Sequence, residues 1–399
     1  MQSPVQHKHL AVYAAGVMTG VGAVAMGVVA VASYALRLML TPDRDRPDNI
    51  EILAVGVDEV TLRANVDTVV PGRYGLWLDR GRGHARVGEI IEHDQEAGTV
   101  RRILEGVDSG TLKPGSARWN GYYHGGNPAT SLGLKYHEVC VQGPLGHLPA
   151  WHVPPEDGVG SDDKWAVLVH GRSAFRTECL RAVPALRRLG WNCLIVGYRN
   201  DDDAPASRDR LYALGLSEWA DVDAALEYAR SRGARRICLA GWSMGGAIVF
   251  QTLARSPRAD LVTDVILDGP VVDWRDVISH HSRLGGLPEA VARSAPHVLR
   301  SRGAKQLIGI SRPLDIAEAD WSSRADELTH RILLIHSVED DFVPIGPSRA
   351  LAEARPDLVT FVEWPTARHT KEWNTDPERW ERVVEEFLAE GDGGVPRSS

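Results

Sequence analysis

The stretch Gly241-Trp242-Ser243-Met244-Gly245 sets the expected fold. A short apolar run, Ile237-Cys238-Leu239-Ala240, enters it, and a helix-compatible run, Gly246-Ala247-Ile248-Val249-Phe250, leaves it. Strand, G-x-S-x-G, helix is the context of a nucleophile elbow, a tight strained turn that holds a serine hydroxyl up at the end of a sheet. Such a turn demands small neighbours, and Gly241 and Gly245 have no Cβ to clash. A glycine-rich turn that happens to contain a serine spells the same five letters, so partners for Ser243 must be sought elsewhere in the chain.

A serine is a weak nucleophile until a base takes its proton, and the base needs an acid to orient it. On this frame the acid follows the serine in the chain and the histidine comes last. Downstream, Arg331-Ile332-Leu333-Leu334-Ile335-His336 is a buried-strand pattern, followed by Ser337-Val338-Glu339-Asp340-Asp341-Phe342-Val343-Pro344. Several carboxylates therefore sit just past a strand end, and Asp268, which closes Val265-Ile266-Leu267, is a further candidate. Beyond Asp341 the sole histidine is His369, in the polar loop Thr366–Thr370 after the apolar run Leu358–Val362. An oxyanion needs two backbone N–H groups aimed at it. One is expected from Met244, the residue after the serine. The other is expected from the loop His170-Gly171-Arg172-Ser173, which ends the strand-like run Trp165–Val169, with Arg172 the candidate.

His170-Gly171, Gly241 through Gly246, His336 through Asp340 with Val343-Pro344 and Ser348, and His369 together resemble the α/β-hydrolase superfamily, over roughly residues 133–390. Members commonly carry His-Gly-x-x-Asp-x-x-Val-Pro at the acid. Laid on this sequence, that spacing selects Asp340 over Asp341, with Ser337 in place of the usual glycine. The likeness is greatest to uncharacterised bacterial membrane-anchored members with esterase- or peptidase-like cores. It implies a serine hydrolase in which Ser243, Asp340 and His369 are catalytic and the N–H groups of Met244 and Arg172 bind the oxyanion. An ester, thioester or amide of a small molecule or peptide would be cleaved through an acyl-enzyme, with no cofactor and no metal. An aminopeptidase- or oligopeptidase-like activity is the alternative within enzymes. A non-catalytic, membrane-tethered binding module is the alternative from another class, and the full Ser/Asp/His set argues against it.

The strand and helix patterns between residues 131 and 390 alternate, which predicts a mostly parallel sheet with helices on both faces. A hairpin is expected across Gly143-Pro144-Leu145-Gly146, and an inserted lid over residues 272–328. A hydrophobic content of 43% and a charged content of 25% are ordinary for a globular protein. A net charge of −8 without a basic stripe argues against nucleic acid. The four cysteines have no paired spacing, and Cys140, Cys179, Cys193 and Cys238 read as buried small apolar residues.

The remaining signal lies at the N-terminus. Residues 10–36 contain no charge and no histidine. As a helix they would span roughly 40 Å, more than a bilayer core of about 30 Å. The segment reads as a single-pass membrane anchor after a short tail (residues 1–9), partnered by the lipid bilayer, with the side of the enzyme domain undetermined. A cleavable signal peptide is the rival, but the apolar run exceeds an h-region of roughly 7–15 residues. Residues 37–49 read as a linker, 50–130 as a small β-rich accessory domain of short strands broken by Gly, Asp and Pro, and 391–399 as a disordered tail.

Overall fold

The computed structural model describes residues 21–158 and 163–393. A helix, α1 (Val21–Leu40), leads into six strands: β1 (Ile50–Val55), β2 (Glu59–Arg63), β3 (Tyr74–Leu78), β4 (Gly83–Asp94), β5 (Thr99–Ser109) and β6 (Gly115–Asn120). They form a closed antiparallel barrel in the order β1-β2-β5-β4-β3-β6. Closure comes from β1 against β6, with Ile50 opposite Ala117 and Ile52 opposite Gly115. Alternation along the strands turns Ile50, Ile52, Val60, Leu62, Leu76 and Trp119 into a core of the barrel's own. Arg102 is buried there as well. Its guanidinium donates to the carbonyl oxygens of Gly88, Thr68, Val70 and Gly72, and burial draws its pKa down to about 10.

Eight further strands make one sheet: β7 (His137–Gly143), β8 (Gly146–Val153), β9 (Lys164–Val169), β10 (Asn192–Val196), β11 (Arg236–Trp242), β12 (Val262–Asp268), β13 (Arg331–Ser337) and β14 (Val359–Trp364). Their order is β14-β13-β12-β11-β9-β10-β8-β7. The six strands from β14 to β10 run parallel, and β8 and β7 are antiparallel at one edge. The hairpin closes with Gly143 opposite Gly146. Every residue of β10 is buried, as are six of the seven in β13. Parallel strands covered on both faces have no solvent side to alternate with. Of the longer helices, α2 (Trp219–Ser231) and α3 (Met244–Arg255) lie in the core on one face, whereas α6 (Pro377–Gly393) supplies Trp380, Val384, Phe387 and Leu388 to the other. That last helix runs two residues past Gly391, where the sequence suggested a disordered tail; residues 394–399 lie outside the described residues. Between β12 and β13 the chain makes α4 (Trp274–Leu284) and α5 (Glu289–Arg300), then short turns.

The expectation of a membrane anchor over residues 10–36 is corrected here. Residues 1–20, with the tail and the first part of that segment, lie outside the described residues. Among the described residues no helix is long and apolar enough to cross a membrane. The C-terminal half of α1 instead joins the core of the eight-stranded sheet's domain: Ala32, Leu36 and Leu40 are at most 2% exposed and cluster with residues of α4 and α5. Arg37 donates from Nη1 to the carbonyl of Ile308 at 2.7 Å, and Ser33 Oγ donates to Val29 O at 2.6 Å. This face of α1 is covered by protein, so the transmembrane expectation is not met among the described residues. The chain after α1 is likewise held against the eight-stranded sheet's domain. Asp43 N donates to Ser173 Oγ at 2.8 Å, and the Arg46 guanidinium lies 3.7 Å from the centre of the Phe175 ring. The cysteines also depart from expectation in one case, because Cys140 on the edge strand β7 is exposed while the other three are buried.

Candidate active site

The site assembles at the C-terminal ends of the parallel strands, where loops from β9, β11, β13 and β14 converge. β11 ends at Trp242 and α3 starts at Met244. Ser243 between them holds φ 54° and ψ −119°, a left-handed backbone for a residue with a Cβ. Such a conformation costs of order 1–3 kcal/mol and persists only where the surroundings enforce it. They do so by proximity. A Cβ on Gly245 would meet Val169 O at 2.2 Å, and one on Gly241 would meet Gly245 O at 2.6 Å. Ser243 N donates to Asp268 O at 3.1 Å, and Ser243 O accepts from Gly246 N and Val271 N.

Ser243 Oγ lies 2.8 Å from His369 Nε2, and His369 Nδ1 lies 2.7 Å from Asp340 Oδ2. Asp340 is fixed from behind: Oδ1 accepts from Phe342 N at 2.9 Å and Val343 N at 2.8 Å. His336 adds a contact to Oδ2 at 3.2 Å, while its two ring nitrogens are occupied by Ser348 Oγ at 2.8 Å and Val343 O at 3.0 Å. Burial pushes the Asp340 carboxyl upward, but His369 and the bonds from His336 and His369 outweigh it and hold the group well below the usual carboxylate range. The His369 loop is pinned to the acid loop by Ser337. Its hydroxyl donates to Ala367 O at 2.5 Å and accepts from Ala367 N at 3.1 Å. A glycine there would lack both bonds.

The other sequence candidates fall as follows. Asp341 turns an exposed side chain to solvent, and only its carbonyl is engaged, by His280 Nε2 at 2.9 Å. Asp268 is buried and accepts from Trp380 Nε1 at 2.8 Å, away from His369. Met244 opens α3 directly after the serine. In the loop after β9, Gly171 N donates to Glu178 Oε2 at 2.7 Å and Ser173 N to the Tyr212 hydroxyl at 3.1 Å. The amide of Arg172 between them has no protein acceptor among the described residues, and Arg172 lines the same cavities as Ser243. Its side chain caps α1. Nε donates to Met39 O at 2.7 Å, and Nη2 donates to Thr41 O at 2.7 Å and Leu38 O at 3.2 Å. These are the carbonyls that a helix end leaves unpaired.

Two cavities meet at Ser243. One is apolar and is walled by α1, α4 and α5; the other is polar and is lined by Asp43, Tyr122, Glu178, His369 and Thr370. Sequence reasoning did not find several of their supports. His281, which lies within the stretch 272–328 expected to form a lid, donates from Nε2 to Phe342 O at 2.9 Å and stacks edge-on against the Phe342 ring, which in turn stacks on His369. Burial lowers the His281 pKa to about 4, so it is neutral at ordinary pH. His170, buried at the start of the loop after β9, faces Asp201 Oδ2 at 2.9 Å and Gly171 O at 2.9 Å. Burial lowers the pKa of His170, but Asp201 outweighs it and raises the group above its ordinary value.

Serine, imidazole and carboxylate in this arrangement can pass a proton from the hydroxyl to Nε2 as the oxygen attacks a carbonyl carbon. Comparisons with known proteins agree with the fold. A family model described as "Alpha/beta hydrolase family" matches residues 166–396, and one described as a domain of unknown function matches residues 51–120. An uncharacterized protein of Bacillus subtilis (strain 168), YqkD, is 22% identical over 245 residues, spanning 60% of this chain and 75% of that protein. The Pyrococcus furiosus esterase Pf2001 superposes with a TM-score of 0.50 at 19% identity, over 66% of this chain and 94% of its own. Est1E from Butyrivibrio proteoclasticus gives a TM-score of 0.47 at 17% identity, over 65% and 99%. With that hydrolase model spanning more than half its length, this chain belongs to the alpha/beta hydrolase family.

Proposed function

We propose that the protein is a serine hydrolase that cleaves a carboxylic ester through an acyl-enzyme on Ser243. The observation that carries this reading is the continuous line from Ser243 Oγ through His369 to Asp340, with bonds of 2.8 and 2.7 Å. Ser243 Oγ attacks the ester carbon and His369 Nε2 takes its proton. The tetrahedral oxyanion lies against the N–H groups of Met244 and Arg172. His369 then gives the proton to the leaving alkoxide. Water, deprotonated by the same nitrogen, releases the acid and restores the serine. Asp340, ionised across the working pH range, keeps the Nδ1 proton of His369 in place and stabilises the imidazolium. Thioesters and amides need the same steps. The fold shared with esterases such as Pf2001 is compatible with this chemistry, and the side chains named above carry the argument.

The test is labelling by a fluorophosphonate probe alongside hydrolysis of p-nitrophenyl esters. The wild type should label and turn over. Ser243→Ala should lose the label and about 10⁴–10⁶-fold in kcat, the usual effect of removing the nucleophile of such a triad. A folded wild type that neither labels nor turns over would return the chain to a binding module on a hydrolase fold.

A further inference from the structure

We infer that the substrate's acyl group is a linear apolar chain seated in the chamber closed by α1, and that its leaving group occupies the polar cavity. This rests on Ser243 as the nucleophile. The direction follows from which residues line which space. Ser243, Arg172 and Phe342 border both cavities, so the carbonyl sits at their junction. His369 borders only the polar one. The leaving oxygen must collect its proton from His369 Nε2 and therefore departs on that side. The acyl substituent, on the other side of the carbonyl carbon, is left to point into the apolar chamber.

The walls of that chamber come from three separate stretches of the chain. Ala32, Ala35, Leu36 and Met39 fall on one face of α1 at spacings of three and four residues. Ile278 on α4 and Val291 on α5 face the same space. The ring of His281, which also borders it, has its Nε2 proton taken by Phe342 O, which leaves the chamber no donor from that ring's Nε2. An alkyl chain is the occupant such a wall favours, since each buried methylene is worth about fourfold in binding. α1 contributes its small residues here, so Ala35 sets how much chain fits.

A p-nitrophenyl ester series from acetate to dodecanoate holds the leaving group constant. For the wild type, kcat/KM should climb by about fourfold per methylene until the chamber is full. Ala35→Phe should cut octanoate hydrolysis at least about tenfold and acetate by less than about twofold. Met39→Ala, which enlarges the chamber, should move the optimum to longer chains and serves as the measurement should Ala35→Phe not fold. A profile that is flat with acyl length would overturn the inference. So would a preference that follows alcohol length in a series of alkyl acetates, or an Ala35→Phe protein that is folded and equally impaired on every ester. In each of those cases the wild type still labels and turns over. An unlabelled, inactive wild type overturns the nucleophile assignment instead.

Discussion

Ser243 and its two glycines show why the elbow could be read from five letters. The positive φ at the serine leaves no room for side chains on either flank, so the constraint is written into residue identity. Asp340 is singled out in the sequence only by a spacing, because three carboxylates occupy similar positions. The structure separates them by what holds each one. Asp340 accepts two backbone N–H bonds and faces His369, Asp341 is exposed, and Asp268 is turned to Trp380. Asp340→Asn should therefore lower kcat by about 10⁴, because an amide favours the wrong tautomer of His369. Asp341→Asn should cost less than about threefold, as expected of a surface change away from the chemistry. Equal losses in the two variants, measured on one ester under one condition, would remove Asp340 from the role. The ion pair of His170 with Asp201 was illegible for the opposite reason. Its partners are 31 residues apart, and no local pattern announces the contact.

The elements divide according to whether their pattern has one meaning. Buried parallel strands such as β10 and β13 announce themselves as short apolar runs, and the hairpin β7–β8 announces itself by its glycines. α1 is apolar over most of its surface, so its sequence does not say which face is covered or by what. Burial of Ala32, Leu36 and Leu40 and the capping of its last carbonyls by Arg172 are tertiary facts. β6 carries the polar sequence Gly-Ser-Ala-Arg-Trp-Asn, which has no strand-like apolar run, so the closure of the barrel is not legible in the sequence. A further element-level feature is the turn of helix that begins at Glu372. Its carboxyl accepts from Ser337 N at 3.0 Å, tying this turn to the end of β13, and it interacts with the carboxyl of Asp268 at the end of β12. Glu372 Oε2 and Asp268 Oδ1 have no other partner among the described residues, so a proton held between the two carboxyls satisfies both. Burial first, then Asp268, raises the pKa of Glu372 well above its ordinary value. The folded protein thus keeps a proton that the unfolded chain releases near pH 4.5. Stability from this group is complete below that value and is lost as pH rises through the raised pKa. Glu372→Gln keeps the acceptor for Ser337 and donates to Asp268 at every pH. At pH 8 it should melt at or above the wild type, by up to about 4 °C, and its melting temperature should fall less between pH 5 and 8. A variant that melts several degrees lower at every pH would rule out the shared proton.

At the scale of the whole molecule, the barrel is joined to the enzyme just behind the histidine. Asn374 Nδ2 donates to Arg73 O at 2.6 Å and Gly121 O at 2.9 Å, at one end of the paired strands β3 and β6, and Arg73 N donates to Asn374 O at 2.8 Å. Gly72 allows the approach: it holds φ 107°, and a Cβ there would meet Asn374 O at 2.1 Å. Arg181 bridges inward, from Nη1 to Thr370 O at 2.5 Å and to Asn374 Oδ1 at 3.5 Å, so the junction and the residue after His369 share one guanidinium. Lys371 reaches Asp67 of the barrel at 3.8 Å, and Tyr122, just past β6, lines the polar cavity. None of this could be read from the sequence, because Asn374 and Arg73 are 301 residues apart and neither belongs to a motif. Asn374→Ala leaves the carbonyls of Arg73 and Gly121 without their donors, at a cost of about 1–3 kcal/mol each where they stay buried. The variant should melt several degrees lower, and the segment between Gly121 and Tyr136 should be cut faster by protease. kcat should fall by about three- to tenfold with KM little changed, because the His369 loop loses its backing while both substrate cavities keep their walls. Asn374→Asp, which keeps the shape but not the donors, should behave alike. If both variants match the wild type in melting, proteolysis and kcat, the barrel does not brace the catalytic loop.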